Sequence, residues 1–348
     1  MNYLVFIFSI FTTGISFSYS HATDFQEKSF NYFCPHIYPE TITNEKMQYD
    51  LRAFKYLLES SYSGLENAEI FFTRSKIPDY SEKTIFDEFE TRDSAFIKIT
   101  DFIEVSPKDK GFNEKHDIFK RYVKFAKKYR NKKNIILDLR SNCGGNDTYS
   151  FNSFKNLYGH RINFLNAADS GYGVTVDYLV SKPIKEFIEN DDVYKKGCSY
   201  YLKYYEKNKK AWFTMKSKDK HELETPKFKG TIFLLVNKNT ASSGEETILF
   251  SRQMLSKTNQ IKVVGENTTG CITYGNVIHY WLPNSGIRID MSSSKYAYSV
   301  KGKEVDLEGK GFYPDYWSND EDMKATLINL TGDKDLEKVD VNKISRDD

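Results

Sequence analysis

The sequence predicts an α/β fold, in which strands and helices alternate along the chain. Short apolar runs, typical of strands covered on both faces, occur at 134–140 (NIILDLR), 231–236 (TIFLLV) and 261–267 (IKVVGEN). Segments with apolar residues at helical spacing lie between these runs, and this alternation indicates an α/β architecture. The 348 residues, of which 39% are hydrophobic and 28% charged, are enough to form a sizeable core.

Residues 1–22 have the pattern of a signal peptide. An apolar stretch at 3–11 leads to Ser20, His21 and Ala22, and small residues one and three positions before the cut suit a signal peptidase. An uncleaved membrane anchor is the alternative, but the apolar stretch is shorter than the roughly 20 residues that a bilayer span needs. We therefore expect an exported protein, periplasmic or secreted, with no integral membrane span after cleavage.

Residues 23–94 are predicted to form a small N-terminal helical region. Apolar residues recur at i, i+4, i+7 and i+11 from Met47, which predicts an amphipathic helix over 44–63. Gly64 follows as a helix stop. Residues 66–94 are rich in charged residues and show no regular spacing of apolar residues.

The predicted core covers residues 95–331. Its first part contains a strand at 94–105, a helical stripe of apolar residues over 119–129, the buried strand at 134–140 and a helix at 149–157. These elements alternate as an α/β core requires.

The second part of the core begins with residues 160–228, to which the pattern assigns no elements. TIFLLV then leads into a helix that ends near Leu255, and IKVVGEN follows as a strand. VIHYWL and IRIDM, joined by a PNSG turn, predict a hairpin. A charged tail, 332–348, is expected to be loosely ordered.

Charge and cysteine content narrow the class of function. The 50 basic and 48 acidic residues nearly cancel and form no long block of one sign, so we expect no nucleic-acid partner. Histidines are scattered singly and no CxxC spacing occurs, so we expect no zinc site. An even number of cysteines in an exported chain permits two disulfides in any of three pairings. The four are Cys34, Cys143, Cys198 and Cys271.

TASSGEE at 240–246 places Ser242 where a strand turns into a helix. A serine at this point is either a nucleophile or an N-cap that satisfies the first free N–H groups of the helix. Glu245 and Glu246 lie in the first helical turn, and we interpret them as helix-dipole and capping partners.

The strand at 134–140 ends in two polar residues and runs into paired glycines. Gly144 and Gly145 either expose backbone N–H groups, because glycine tolerates positive φ, or form an ordinary turn. We interpret Asp138 and Arg140 as a structural ion pair rather than as catalytic groups.

Together, NIILDLRSNCGG, TIFLLVNKNTASSGEE, VVGENTTGC and EGKGFYPD resemble the C-terminal processing peptidase family, the tail-specific serine proteases, and their tricorn-type relatives. The resemblance covers roughly residues 95–316. It implies a crotonase- and Clp-protease-like spiral core of ββα units, with Ser242 as the nucleophile. It also implies an oxyanion hole formed by the N–H of Ser243 and that of Gly144 or Gly145.

The general base departs from the family pattern. The lysine of the tail-specific branch would fall on Cys271, and the helper residue on the nucleophile helix would fall on Gln253. The tricorn-type branch uses a glutamate before its late glycines, which corresponds to Glu308, together with a histidine that has no evident counterpart. His36 and His279 remain open for that role, although each is expected to be a structural histidine.

Most tail-specific members of the family also contain a peptide-binding PDZ domain. The segment 66–94 is about a third of the length such a domain needs, so we expect none. The aromatic stretch at 198–213 then becomes the candidate for a substrate-facing wall.

The resemblance implies an exported serine peptidase that cleaves peptides or unfolded protein segments through an acyl-enzyme on Ser242, without a cofactor. The alternatives are a non-catalytic relative that binds peptides or another protein, and a crotonase-like enzyme acting on small thioesters. The family's placement of Cys143 and Cys271 at one cleft suggests a disulfide between them, which would leave Cys34 to pair with Cys198. Reduced or differently paired cysteines remain the other possibility.

Overall fold

A computed structural model describes residues 42–61, 85–105, 111–158, 172–190, 195, 199–208, 211–215, 227–254 and 260–341. The predicted signal segment, Cys34, His36 and Cys198 lie outside these residues. The chain divides into two compact units, each discontinuous in sequence. The first unit contains residues 1–79, 177–214 and 274–295, and the second contains residues 80–176, 215–273 and 296–348.

The predicted α/β class is confirmed. Within the described residues the helices are α1 (Asn44–Ser61), α2 (Phe112–Lys128), α3 (Thr148–Tyr158), α4 (Lys182–Asn190), α5 (Ser199–Asn208), α6 (Ser243–Met254) and α7 (Met323–Thr331). The strands are β1 (Phe86–Glu90), β2 (Ser94–Ile99), β3 (Asn134–Asp138), β4 (Tyr172–Val180), β5 (Ala211–Met215), β6 (Thr231–Val236), β7 (Ile261–Gly265), β8 (Tyr274–Trp281), β9 (Arg288–Val300), β10 (Lys303–Val305) and β11 (Tyr316–Trp317).

The second unit is built on a six-stranded sheet with the order β1-β2-β3-β6-β7-β11. Apart from β1, which is antiparallel to β2, neighbouring strands run parallel. The two central apolar runs are adjacent in this sheet, because Asn134 pairs with Thr231 and Leu137 with Leu234. Parallel strands end at the same edge of a sheet, so the loops after β3 and β6 meet there.

The central strands of this sheet are apolar on both faces because both faces are covered. On one face, Phe96, Ile136 and Phe233 pack with Met323 and Leu327 of α7. The helix α2 packs against α3, and α3 against α6. The predicted stripe of α2 is buried as expected, at Ile118, Phe119, Tyr122, Phe125 and Ala126.

The first unit contains the predicted hairpin, with Trp281 of β8 opposite Arg288 of β9. Its turn is tied to α1, because the Asp50 carboxylate accepts the N–H groups of Asn284 at 3.0 Å and Ser285 at 2.7 Å. The helix α1 packs against α4, and α4 against α5. Within the described residues no helix combines the length and apolar character needed to cross a membrane.

Two sequence expectations for the second unit are corrected. Residues 86–90 were expected to be irregular but form β1, where Phe89 stacks on Phe96 at 4.7 Å between ring centroids. The tail was expected to be loose, yet its described part packs on the sheet because Leu336 and Val341 are fully buried. A 3-10 helix, Lys334–Lys338, lies between the end of α7 and Val341.

The unassigned region 160–228 contains two helices and two strands in its described part, namely β4, α4, α5 and β5. Part of the aromatic stretch packs against other rings, whereas Trp212 is exposed. Within the first unit, Phe213 of β5 stacks on Tyr178 and on Tyr204, with centroid distances of 5.2 Å and 4.4 Å. No PDZ domain is present among the residues that the structure describes.

Candidate active site

The loops after β3 and β6 bring Gly144 against Ser242. The two loops are bonded directly, since the Ala241 N–H donates to the Asn142 carbonyl at 2.9 Å. A Cβ atom added to Gly144 would lie 2.6 Å from the Ser242 Cβ and 3.0 Å from its Oγ. Gly144 also has φ of +99°. Both the contact and the backbone conformation therefore require glycine at this position.

Ser242 lies at the turn into α6 with a left-handed backbone, φ 51°. Its N–H is 3.1 Å from the Cys271 carbonyl and 3.1 Å from Glu245 Oε2. No described residue forms a hydrogen bond with its hydroxyl. The capping bond therefore runs from the Ser242 backbone to the Glu245 side chain, and the hydroxyl is left available.

Two backbone N–H groups close to Ser242 have no acceptor among the described residues, those of Ser243 and Gly145. Ser243 begins α6, where the helix dipole favours negative charge. Gly145 is held beside it, because the Ser243 Oγ donates to the Gly145 carbonyl at 2.7 Å. The other candidate donor, the Gly144 N–H, is already bonded to Asn142 Oδ1 at 3.0 Å.

Asn142 organises this loop, and the sequence analysis did not single it out. Its side chain is fully buried; Nδ2 donates to the Ile99 carbonyl at 3.0 Å, while Oδ1 accepts from Gly144. An asparagine two residues before paired glycines is a known turn signal, which would have identified it. Asn142 thus fixes the glycine loop to the end of β2.

Glu245 connects the nucleophile turn with the loop at 268–271. Its fully buried carboxylate accepts the hydroxyl of Thr268 at 2.6 Å and the N–H groups of Gly270 at 2.9 Å and Cys271 at 3.0 Å. Burial raises the pKa of Glu245, and these hydrogen bonds oppose the rise. With the Ser242 N–H, four donors point at the two oxygens of this carboxylate. This arrangement matches an ionised carboxylate, because that form only accepts hydrogen bonds. The predicted capping role is confirmed for Glu245, whereas the Glu246 side chain contacts the Ser243 hydroxyl instead.

Glu308 lies in a loop that packs on the Cys271 loop. Its Oε2 accepts the Thr273 N–H at 2.9 Å, and the next residue, Gly309, donates its N–H to the Gly270 carbonyl at 2.7 Å. Partial desolvation of the Cys271 thiol raises its pKa, and the Glu308 and Glu245 carboxylates raise it further. The thiol is therefore neutral near pH 7 and is a poor substitute for a basic lysine.

The predicted disulfide between Cys143 and Cys271 is wrong, because both are exposed and neither is oxidised. The two backbones are held by different partners. The Cys143 N–H donates to the Thr100 carbonyl at 3.3 Å, whereas the Cys271 N–H donates to Glu245. The second predicted pair, Cys34 with Cys198, lies outside the described residues.

The helper position and the remaining described candidate base have other surroundings. Gln253 is buried within α6. Lys262 lies over the Tyr316 ring at 5.8 Å. In the first unit, His279 Nδ1 is 2.7 Å from Asp290 Oδ1. No group of three potential metal ligands occurs among the described residues.

Asp138 and Arg140 form the predicted structural ion pair. Arg140 Nη2 lies 2.8 Å from Asp138 Oδ2 and also donates to the Val341 carbonyl at 2.8 Å. Both side chains are almost fully buried, so the pair links the end of β3 to the C-terminal segment. It therefore has a structural role.

A serine at a strand-to-helix turn, with unpaired N–H donors beside it, is the arrangement of a serine hydrolase. Comparison with known proteins narrows the class. The sequence model of peptidase family S41 matches residues 93–317, and the chain therefore belongs to this family of peptidases. Its substrates are accordingly peptides or proteins.

Several solved structures share similarity with the chain. A lipoprotein from Streptococcus agalactiae is 19% identical, covering 71% of each chain with a TM-score of 0.36. Mature CPAF in complex with lactacystin is 15% identical, covering 73% of this chain and 53% of its own, with a TM-score of 0.39. The photosystem II D1 C-terminal processing protease is 15% identical, covering 65% of this chain and 42% of its own, with a TM-score of 0.32. The chain thus spans about half of the last two proteins. A search of curated proteins gives no match.

Proposed function

We propose that the protein is an exported serine-type peptidase that cleaves peptides or unfolded protein segments through an acyl-enzyme on Ser242. The observation that carries the proposal is the position of Ser242 at the start of α6, beside the N–H groups of Ser243 and Gly145, which have no acceptor among the described residues. A nucleophile and two donors around one reacting carbon are what acyl transfer requires. The signal-like segment 1–22 supports export.

In the proposed reaction, Ser242 Oγ attacks the scissile carbonyl carbon and loses its proton to a base. The carbonyl oxygen becomes negative and accepts hydrogen bonds from Ser243 and Gly145, and the N-terminal end of α6 stabilises the same charge. The peptide bond then breaks, and the leaving amine takes up a proton. Water repeats the sequence on the acyl-enzyme, which releases the second product and restores the serine.

We assign proton transfer to Glu308, acting through a bridging water. Glu245 is saturated by four donors, whereas Glu308 accepts the Thr273 N–H and lies close enough to Cys271 to influence its thiol. Catalytic hydrogen bonds often form only when substrate binds, so a water-mediated path is compatible with a free serine hydroxyl.

The second candidate function is a peptide-binding protein that has lost catalysis. It is favoured by Cys271 at the position of the family lysine and by the absence of any described side chain bonded to the Ser242 hydroxyl. Such a protein would retain the fold and the oxyanion donors but would not activate the serine.

A fluorophosphonate probe separates the two functions, because it reacts covalently only with an activated serine. We expect labelling of the wild type between pH 6 and 9 and none of Ser242→Ala. Ser251→Ala is the matched control, since this serine lies on the same helix and its hydroxyl donates to the Ile248 carbonyl at 2.7 Å. Absence of labelling in folded wild-type protein would favour the binding function.

A further inference from the structure

The Ser243 hydroxyl lies between two oxygen atoms but has one proton to donate. Its Oγ is 2.7 Å from the Gly145 carbonyl and 3.2 Å from Glu246 Oε2. A carbonyl oxygen carries no proton, so the shorter contact uses the proton of the hydroxyl. The contact with Glu246 is then a hydrogen bond only if the carboxyl group supplies the proton.

The surroundings of Glu246 favour its neutral form. Glu246 is only 7% exposed. Burial raises the pKa of Glu246 well above its usual range, and the neighbouring Asp147 and Glu245 carboxylates add to the rise. Tyr298 faces the same cluster from β9, and burial raises its pKa as well, so it stays neutral and supplies no charge that would favour ionised Glu246.

Asp147, immediately before α3, is the other carboxyl group of this acidic pair. Burial raises the pKa of Asp147 too, but hydrogen bonds from the Thr148 side chain and backbone oppose the rise. The described contacts of Glu246 include no N–H donor. Two adjacent carboxyl groups disfavour each other's ionisation, and the group with fewer donors, here Glu246, is the one more readily kept neutral.

We propose that Glu246 is a protonated carboxyl group near neutral pH that holds the oxyanion loop in place. Its O–H donates to Ser243 Oγ, and Ser243 in turn donates to the Gly145 carbonyl. Glu246 is thus a positioning residue for Gly145, whose N–H is a proposed oxyanion donor. The effect on catalysis rests on the proposed function, whereas the protonation state does not.

The neighbouring Glu245 shows the opposite arrangement. Glu245 accepts from four donors and fits an ionised carboxylate, whereas Glu246 must donate. Replacement of each by glutamine therefore has opposite consequences. Glutamine at 246 supplies an N–H in place of the carboxyl O–H, whereas glutamine at 245 points an N–H at groups that are themselves donors.

The protonation state is tested by unfolding the wild type and Glu246→Gln in denaturant at pH 5 to 9. A carboxyl group with a raised pKa stabilises the fold fully below its unfolded pKa of about 4.3, and this stabilisation is lost as pH rises toward the folded pKa. Between the unfolded-state and folded-state pKa values of Glu246, the equilibrium constant for unfolding should rise faster with pH in the wild type than in the variant. We expect the difference to reach about tenfold per pH unit. The same comparison with the exposed Glu321→Gln as control should show no such trend. A constant difference between wild type and Glu246→Gln across this range would overturn the proposal.

The positioning role is tested by the rate of fluorophosphonate labelling. We expect Glu246→Gln to stay within about threefold of the wild type at pH 7 and Glu246→Ala to be at least about tenfold slower, because a misplaced donor loses part of the hundredfold that one donor supplies. Equal losses in both variants would show that Glu246 acts as an ionised acceptor, and no loss in either would show no positioning role. If the wild type is not labelled, the proposed function fails, and the unfolding measurement still decides the protonation state.

Discussion

At the scale of single residues, the site depends on side chains that shape the backbone around Ser242. Gly144 leaves room for the serine, Asn142 fixes the glycine loop, and Glu245 fixes the Cys271 loop. The sequence identified Ser242, Ser243 and the glycines through their resemblance to a family. It did not identify Asn142: an asparagine before paired glycines is a turn signal, but its hydrogen bond to the Ile99 carbonyl at the end of β2 joins residues that are distant in sequence.

Gly144→Ala should remove activity and destabilise the second unit. A new Cβ would lie 2.6 Å from the Ser242 Cβ, and alanine at φ +99° is strained by about 1–3 kcal/mol. Urea unfolding and probe labelling would measure both effects. Gly302→Ala is a control for backbone strain alone, since its added Cβ meets nothing within 4 Å at a φ of +74°. Equal labelling of the Gly144 variant and the wild type would contradict the predicted crowding.

Glu245→Gln should lower activity by more than tenfold and lower stability by about 1–3 kcal/mol, because buried donors lose their acceptors. The Thr268 hydroxyl and the Gly270 and Cys271 N–H groups all point at this carboxylate. Thermal unfolding and labelling kinetics provide the measurements. Stability and activity both unchanged from wild type would show that the four hydrogen bonds do not require a carboxylate.

Glu308→Gln should reduce kcat by about 10²–10⁴ if this carboxylate accepts the serine proton. In the wild type the Thr273 N–H donates to Glu308 Oε2 at 2.9 Å. The amide oxygen of glutamine can accept the same hydrogen bond, so the stability of the fold should change little. Peptide cleavage measured over a range of substrate concentrations separates kcat from KM. A change in KM alone would assign Glu308 to substrate binding instead.

At the scale of secondary-structure elements, the buried parallel strands were predictable and the edges were not. The strands β3, β6 and β7 are continuous apolar runs, which identify a sheet covered on both faces. The edge strand β1 (FDEFE) lacks the strict alternation of a half-buried strand, and its pairing with β2 is a tertiary contact that no local pattern specifies. The helix α5 is rich in tyrosine, whose weak helical preference gave no clear signal.

The described tail should contribute to the stability of the second unit. Leu336 is fully buried against the sheet, and Leu→Ala at such a site typically costs about 2–5 kcal/mol. Leu336→Ala should therefore lower the denaturant midpoint substantially, whereas the exposed Lys334→Ala should not. A midpoint unchanged by Leu336→Ala would mean that the tail is not part of the core in solution.

At the scale of the whole molecule, the chain is a member of peptidase family S41 whose candidate site lies in the second unit. Ser242, the glycine loop, Glu245, Cys271 and Glu308 all come from segments of that unit. Family membership is shown by the match over residues 93–317, whereas the resemblance only implies that Ser242 is the nucleophile and that Cys271 takes the position of the tail-specific lysine. Whether the serine is activated without that lysine is therefore the central question for function.

The most direct measurement is detection of the acyl-enzyme itself. The purified protein would be mixed with an unfolded polypeptide, quenched in acid and mapped by mass spectrometry. We predict a peptide fragment joined through an ester bond to Ser242, together with cleaved polypeptide, and neither species in Ser242→Ala. Cleavage that persists in Ser242→Ala, or a folded wild type that gives neither adduct nor cleavage, would contradict the assignment of Ser242 as the catalytic nucleophile.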